Sequence, residues 1–182
     1  MKYKARLMEE EAVRRALTRL SYEILEKSSD MSRVVLVGIR TRGVPLAKYI
    51  AENIRRNASI DVPVAELDIT LYRDDVTAVA DSPLVKSVDI PFDIGGKEVV
   101  LVDDVLYTGR TTRAAIDALF SVGRPGKIRL AVLIDRGHRE RPIRPDYVGK
   151  NVPTSHKEAI RVNLEPTDGK TDVELYERED KE

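Results

Sequence analysis

Residues 98–115 of the 182-residue chain read EVVLVDDVLYTGRTTRAA, and this stretch decides the fold. Val99 to Val102 form a short β-branched apolar run, the pattern of a strand buried on both faces. The run delivers two adjacent carboxylates, Asp103 and Asp104. Thr108-Gly109-Arg110-Thr111-Thr112 then opens a helix expected over residues 111–122. Gly109 lets the backbone turn closely, and the threonine hydroxyls and first free N–H groups of the helix converge on one spot. An unpaired helix N-terminus attracts phosphate, while carboxylates accept hydrogen bonds from sugar hydroxyls. The combination suits a ribose 5-phosphate. An ordinary strand-to-helix turn with capping residues explains one Thr or Asp, but not paired acids with three threonines.

Outward from this stretch, the apolar runs 33–38, 62–70 and 127–135 read as further strands. Helical spacing covers 9–27, where Val13, Leu17, Leu20 and Ile24 recur, and 44–56. Strand and helix in alternation predict an α/β fold, a parallel sheet flanked by helices. Right-handed crossovers place the C-terminal strand ends on one edge, where such sheets bind ligands. Gly38 to Gly43 also begins at such an end. Its Arg40, Thr41, Arg42 and Gly43 suit a diphosphate, by charge and by exposed N–H groups. Residues 71–87 are polar and aperiodic, contain Pro83, and read as a long loop of the kind that covers active sites.

Composition narrows the setting. With 42% hydrophobic and 34% charged residues, the chain reads as one globular domain spanning 1–182. Lys plus Arg number 31 and Asp plus Glu 31, so a nucleic-acid role must rest on a local basic face. The absence of cysteine excludes disulfides, thiolate metal sites and a cysteine nucleophile. No signal-like or membrane-spanning apolar stretch is present, and a cytoplasmic protein is expected.

The apolar run, paired acids and T-G-x-T loop resemble the 5-phosphoribosyl-1-diphosphate (PRPP) motif of type I phosphoribosyltransferases. The resemblance implies that fold, with a small hood over roughly 135–160 plus the N-terminal helix, and a flexible active-site loop. It also implies roles. Asp103 and Asp104 hold the ribose hydroxyls and serve catalysis with Arg73 of the 71–87 loop; Lys86 is a weaker candidate. Val105, Leu106 and Tyr107 line the nucleotide site, and Thr108, Gly109, Arg110, Thr111 and Thr112 hold the 5-phosphate. Thr41 and Arg42 take the diphosphate, in a loop that in this family often holds a non-proline cis peptide. Arg136 and the backbone around Tyr147, Val148 and Ile160 surround the base. Mg²⁺ is the implied cofactor, held mainly by PRPP itself, with no protein ligand expected.

Five blocks, RRALTR (14–19), VGIRTRG (37–43), DITLYRDD (68–75), VDDVLYTGRTTRAA (102–115) and DRGHRERPIRPDYVGKNVPTS (135–155), resemble a narrower group. These are bacterial regulators of pyrimidine-operon transcription attenuation that also have uracil phosphoribosyltransferase activity. The implied partners are uracil, UMP or UTP, the operon's mRNA leader, and further copies of the chain in a homodimer or homotetramer. The implied RNA face comprises Arg15, Thr18, Arg19, His138, Arg139, Arg144 and Lys150, together with Thr41. By residue type alone, these positions equally suit a solvated surface or an oligomer contact. Tyr22, Lys27 and Arg141 depart from the pattern of that group. An RNA-binding regulator without catalysis, and a salvage enzyme without RNA binding, are the alternatives.

Overall fold

The computed structural model describes residues 1–69, 88 and 90–178. Arg73, Lys86 and the loop expected over 71–87 lie outside the described residues.

A five-stranded parallel sheet forms the body, in the order β3 (Val64–Leu67), β2 (Val34–Ile39), β4 (Glu98–Leu106), β5 (Lys127–Asp135), β6 (Tyr147–Asn151). The central strands are continuous β-branched runs because both faces are covered: all of Val34–Ile39 is buried. On one face α1 (Glu10–Lys27) and α2 (Gly43–Ala58) bury Leu17, Leu20, Ile24, Leu46, Ile50 and Ile54. On the other, α3 (Arg110–Val122) buries Ala114, Ala115, Ala118 and Leu119. Small residues let α3 approach the sheet closely.

A second, three-stranded antiparallel sheet has the order β1 (Lys2–Met8), β8 (Asp172–Glu177), β7 (Glu158–Asn163), with the short α4 (Glu165–Asp168) between β7 and β8. Here the structure departs from the expected hood boundary of 135–160. Residues 147–151 extend the parallel sheet, α1 packs on α2 and β6, and the separate layer is built from both ends of the chain. Gly43 lies where α2 starts against β4: a Cβ there would stand 2.2 Å from the Val102 carbonyl oxygen. That contact seats the loop after β2 directly beside the acids of β4.

Candidate functional site

Asp103 and Asp104 lie near the C-terminal end of β4. Each carboxylate accepts from the next residue's N–H: Asp104 N to Asp103 Oδ1 at 2.9 Å, and Val105 N to Asp104 Oδ1 at 2.9 Å. Asp103 is buried. Burial pushes its carboxyl well above the ordinary range, and the adjacent charge of Asp104 adds to the rise. Burial raises Asp104 as well, opposed by hydrogen bonding from Asp103 and by the Arg42 guanidinium. Because the folded values are raised, the protonated pair favours the fold. That contribution is complete below an unfolded value of about 3.9 and is lost as pH rises through the folded values. Asp103→Asn should therefore unfold at higher urea concentration than the parent at pH 7, the two converging near pH 4. Identical curves at pH 7 would show that burial of the pair has no such cost.

A cavity of about 440 Å³ opens over these acids. Arg40, Thr41 and Arg42 line it from the loop after β2, Asp68 and Ile69 from beyond β3, and Asp103, Asp104, Val105 and Thr111 from the β4–α3 segment. Thr41 and Arg42 are thus brought to the same space as the paired acids. Gly109 takes φ 89°, a left-handed turn that glycine adopts without strain, and no N-cap side-chain bond closes the start of α3. The Thr108 hydroxyl accepts a long bond from Arg110 N at 3.4 Å. Thr112 is buried, with its hydroxyl lacking a partner among the described residues. Leu106 turns its side chain into the core, leaving its main chain for the site. Arg110 pairs with Glu140 at 2.7 Å, and Glu140 N and Arg141 N donate to the Thr108 carbonyl. The loop after β5 therefore leans on the T-G-R-T-T turn.

The Arg40–Thr41 peptide is cis, as such loops are expected to show. Arg40 pairs with Glu66 at 3.1 Å. Arg42 makes a two-point ion pair with Asp168 of α4, Nη2 to Oδ1 at 2.8 Å and Nε to Oδ2 at 3.2 Å. Nothing in the local sequence marks Asp168, which lies 126 residues from Arg42.

Arg136 is buried, and its guanidinium lies 4.0 Å from the centre of the Tyr107 ring. It donates to Thr154 Oγ1 and to the carbonyls of Ser155 and Glu158 at 2.8–3.1 Å. Val148 belongs to β6 and Ile160 to β7, in different sheets, and neither lines the cavity over the acids. Tyr147, the aromatic nearest the basic cluster in the sequence, is fully buried, so it offers no exposed ring for stacking.

The residues expected on an RNA face divide into two groups. Arg15, Thr18, Arg19 and Tyr22 do share one groove on α1, but Glu11, Glu23 and Glu26 line it too. Arg15 and Arg144 are exposed and make no ion pair among the described residues. Others hold the chain itself. Arg19 donates to the carbonyls of Val148 and Gly149 at 3.1 and 2.5 Å. Arg139 reaches Asp135 and the carbonyls of Tyr107 and Ile143, and Lys150 reaches that of Leu7. His138, at φ 60°, packs its ring 4.0 Å from that of His156.

A ligand edge carrying paired acids beside an uncapped helix start, on a sheet in the order 3-2-4-5-6, defines the phosphoribosyltransferase class. The model of the phosphoribosyl transferase domain matches residues 5–165. Among solved structures, the hypoxanthine phosphoribosyltransferase of Trypanosoma cruzi aligns with TM-score 0.70 at 18% identity, over 97% of this chain and 98% of that one. A hypoxanthine-guanine phosphoribosyltransferase of Bacillus anthracis gives 0.67 at 20% identity, over 96% and 98%. Much nearer in sequence are proteins named bifunctional protein PyrR. That of Thermus thermophilus is 57% identical over 98% of this chain and 99% of its own, and that of Deinococcus deserti 52% over 97% of each. The chain belongs to the PyrR family.

Proposed function

We propose that this protein is a uridine-nucleotide-sensing regulator of pyrimidine-operon mRNA, acting by transcription attenuation, that also makes UMP and diphosphate from uracil and PRPP. The observation that carries the catalytic half is the shared cavity of Thr41, Arg42, Asp103, Asp104 and Thr111. In the reaction, uracil N1 forms a bond to ribose C1 as the C1–O bond to diphosphate breaks, and the N1 proton passes to solvent. Positive charge develops on the sugar and negative charge on the departing group, so positioning and charge stabilisation supply most of the catalysis. Asp103 and Asp104 accept from the ribose hydroxyls. The free N–H groups of α3, with Thr108 and Thr111, hold the 5-phosphate. Arg42 and the backbone at Thr41 take the diphosphate.

Mg²⁺ fits this arrangement. PRPP would supply most of the ion's oxygens, and the adjacent carboxylates, crowded as they are, would be relieved by a cation nearby. Bound there, the ion neutralises charge on the diphosphate. The decisive test of the catalytic half is UMP formation from uracil, PRPP and Mg²⁺, run beside hypoxanthine and orotate. Turnover with uracil alone supports the reading. No turnover with any base would leave a regulator without catalysis.

For the RNA half, the exposed cations Arg15 and Arg144 carry the argument, with Thr18 in the same groove as Arg15. UMP or UTP in the nucleotide site favours the RNA-binding form, and RNA in turn tightens nucleotide binding. A homodimer or homotetramer would multiply the basic surface. Arg144→Ala should weaken binding of the operon leader and reduce the slope of log K against log salt by about one. A slope equal to that of the parent would return Arg144 to the solvated surface and favour a salvage enzyme without RNA binding.

A further inference from the structure

Arg42 is a long side chain at the start of α2, and a free guanidinium samples many rotamers. Here it is held. Asp168 presents both carboxylate oxygens to it, at 2.8 and 3.2 Å, and the Arg42 side chain is only 29% exposed. The acceptor is itself fixed: Asp168 Oδ2 also receives Leu164 N at 3.0 Å, and Asp168 N donates to the Leu164 carbonyl at 2.7 Å. We propose that Asp168 is the positioning residue for diphosphate recognition, holding the Arg42 guanidinium at the mouth of the ribose cavity from the connection between β7 and β8. This rests on the reading of Arg42 as a diphosphate ligand.

Two physical effects of Asp168 oppose each other. Its negative charge lowers the potential felt by an anionic ligand. Its two-point grip fixes the plane of the fork, which a lone lysine-like charge would not define. The pair uses Nε–H and one N–H of Nη2, so three of the five N–H groups of Arg42 remain for phosphoryl oxygens. A ligand therefore need not displace Asp168, and the positioning effect dominates. The opposite outcome, release of a competitor, would tighten ligand binding when Asp168 is neutralised. The two ideas predict opposite signs.

The experiment is calorimetric titration of the full chain with PRPP plus Mg²⁺ and, separately, with UMP. Asp168→Asn should weaken PRPP about tenfold, equivalent to about 1.4 kcal/mol, while UMP affinity stays within about twofold. UMP lacks the diphosphate, so a general loosening of the fold would weaken both ligands and overturn the proposal. On an Arg42→Ala background, Asp168→Asn should change PRPP affinity no further; additive losses would overturn it. Unchanged or tighter PRPP binding by Asp168→Asn also overturns it. If Arg42→Ala alone leaves PRPP affinity intact, the assignment of Arg42 fails first. Asp168→Glu keeps the charge but displaces the fork, and should show the same selective loss should the asparagine variant fold poorly.

Discussion

Asp104→Asn should reduce kcat/KM for UMP formation by about 10²-fold, the scale seen when one preorganised polar partner of a transition state is removed. The melting temperature should stay unchanged or rise. The two expectations share one cause. Asp104 is half-buried beside a buried acid, and burial holds both carboxyls above their ordinary range. The folded protein thus carries a destabilising pair of potential charges, which asparagine relieves while keeping the shape. Asparagine also keeps one oxygen for Val105 N, which Asp104 Oδ1 now serves at 2.9 Å. What it lacks is the second acceptor and the charge that a ribose acquiring positive character needs. Steady-state kinetics beside thermal unfolding reads both. An unaltered kcat/KM would sink the assignment of Asp104 to the ribose.

Gly43→Ala should destabilise the protein by about 3 kcal/mol or more, the upper range for overpacking a filled core. The added Cβ would meet Val102 O at 2.2 Å, Val102 C at 3.1 Å and the Asp103 Cα at 3.4 Å. All three are backbone atoms of a central strand, so no side chain can rotate away. Only separation of α2 from β4 relieves the clash, and that moves Thr41 and Arg42 away from the acids. Gly137→Ala is the control. There φ is 80°, and a Cβ would find no atom within 4 Å. Its cost is backbone strain alone, about 1–2 kcal/mol, and urea denaturation separates the two. Equal losses would show that the close approach at Gly43 is not what limits substitution.

Four strands of the parallel sheet were legible as apolar runs, most plainly β2, β4 and β5, which are largely buried on both faces. Residues 98–106 and 127–135 need no alternation to be recognised, and these four strands with α1, α2 and α3 match the expected elements within a few residues. The edge strand β6 carries no such run, because its last residues are exposed. The antiparallel sheet was hidden for a physical reason. In β8 Val173 is buried in the core, but Asp172 and Glu174 on the other face are buried too, satisfied by hydrogen bonds from Asn163 and Lys170, so its charged residues do not mark a solvent face. In β1 most side chains are exposed, and LysTyrLysAlaArg reads as a polar tail. The site divides in the same way. The T-G-R-T-T turn and its acids are contiguous, so they declare themselves. Asp168 and the His138–His156 ring pair do not, because only the folded chain brings them to their partners. Residue type also misleads. Arg19, Arg139 and Lys150 read as surface charge, yet each is tied to a main-chain carbonyl elsewhere in the chain.

Arg136 carries this furthest. One face of its guanidinium covers Tyr107, in the segment between the paired acids and the T-G-R-T-T turn. Its edge grips the carbonyls of Ser155 and Glu158, at the threshold of β7. Glu158 in turn holds Lys4 of β1 by an ion pair. The paired-acid side of the cleft and the outer layer of the molecule are therefore joined through this one side chain as well as through the Arg42–Asp168 pair. Substitution at position 136 is pleiotropic by construction: it slackens both sides at once, and no measured loss there can be charged to base recognition alone.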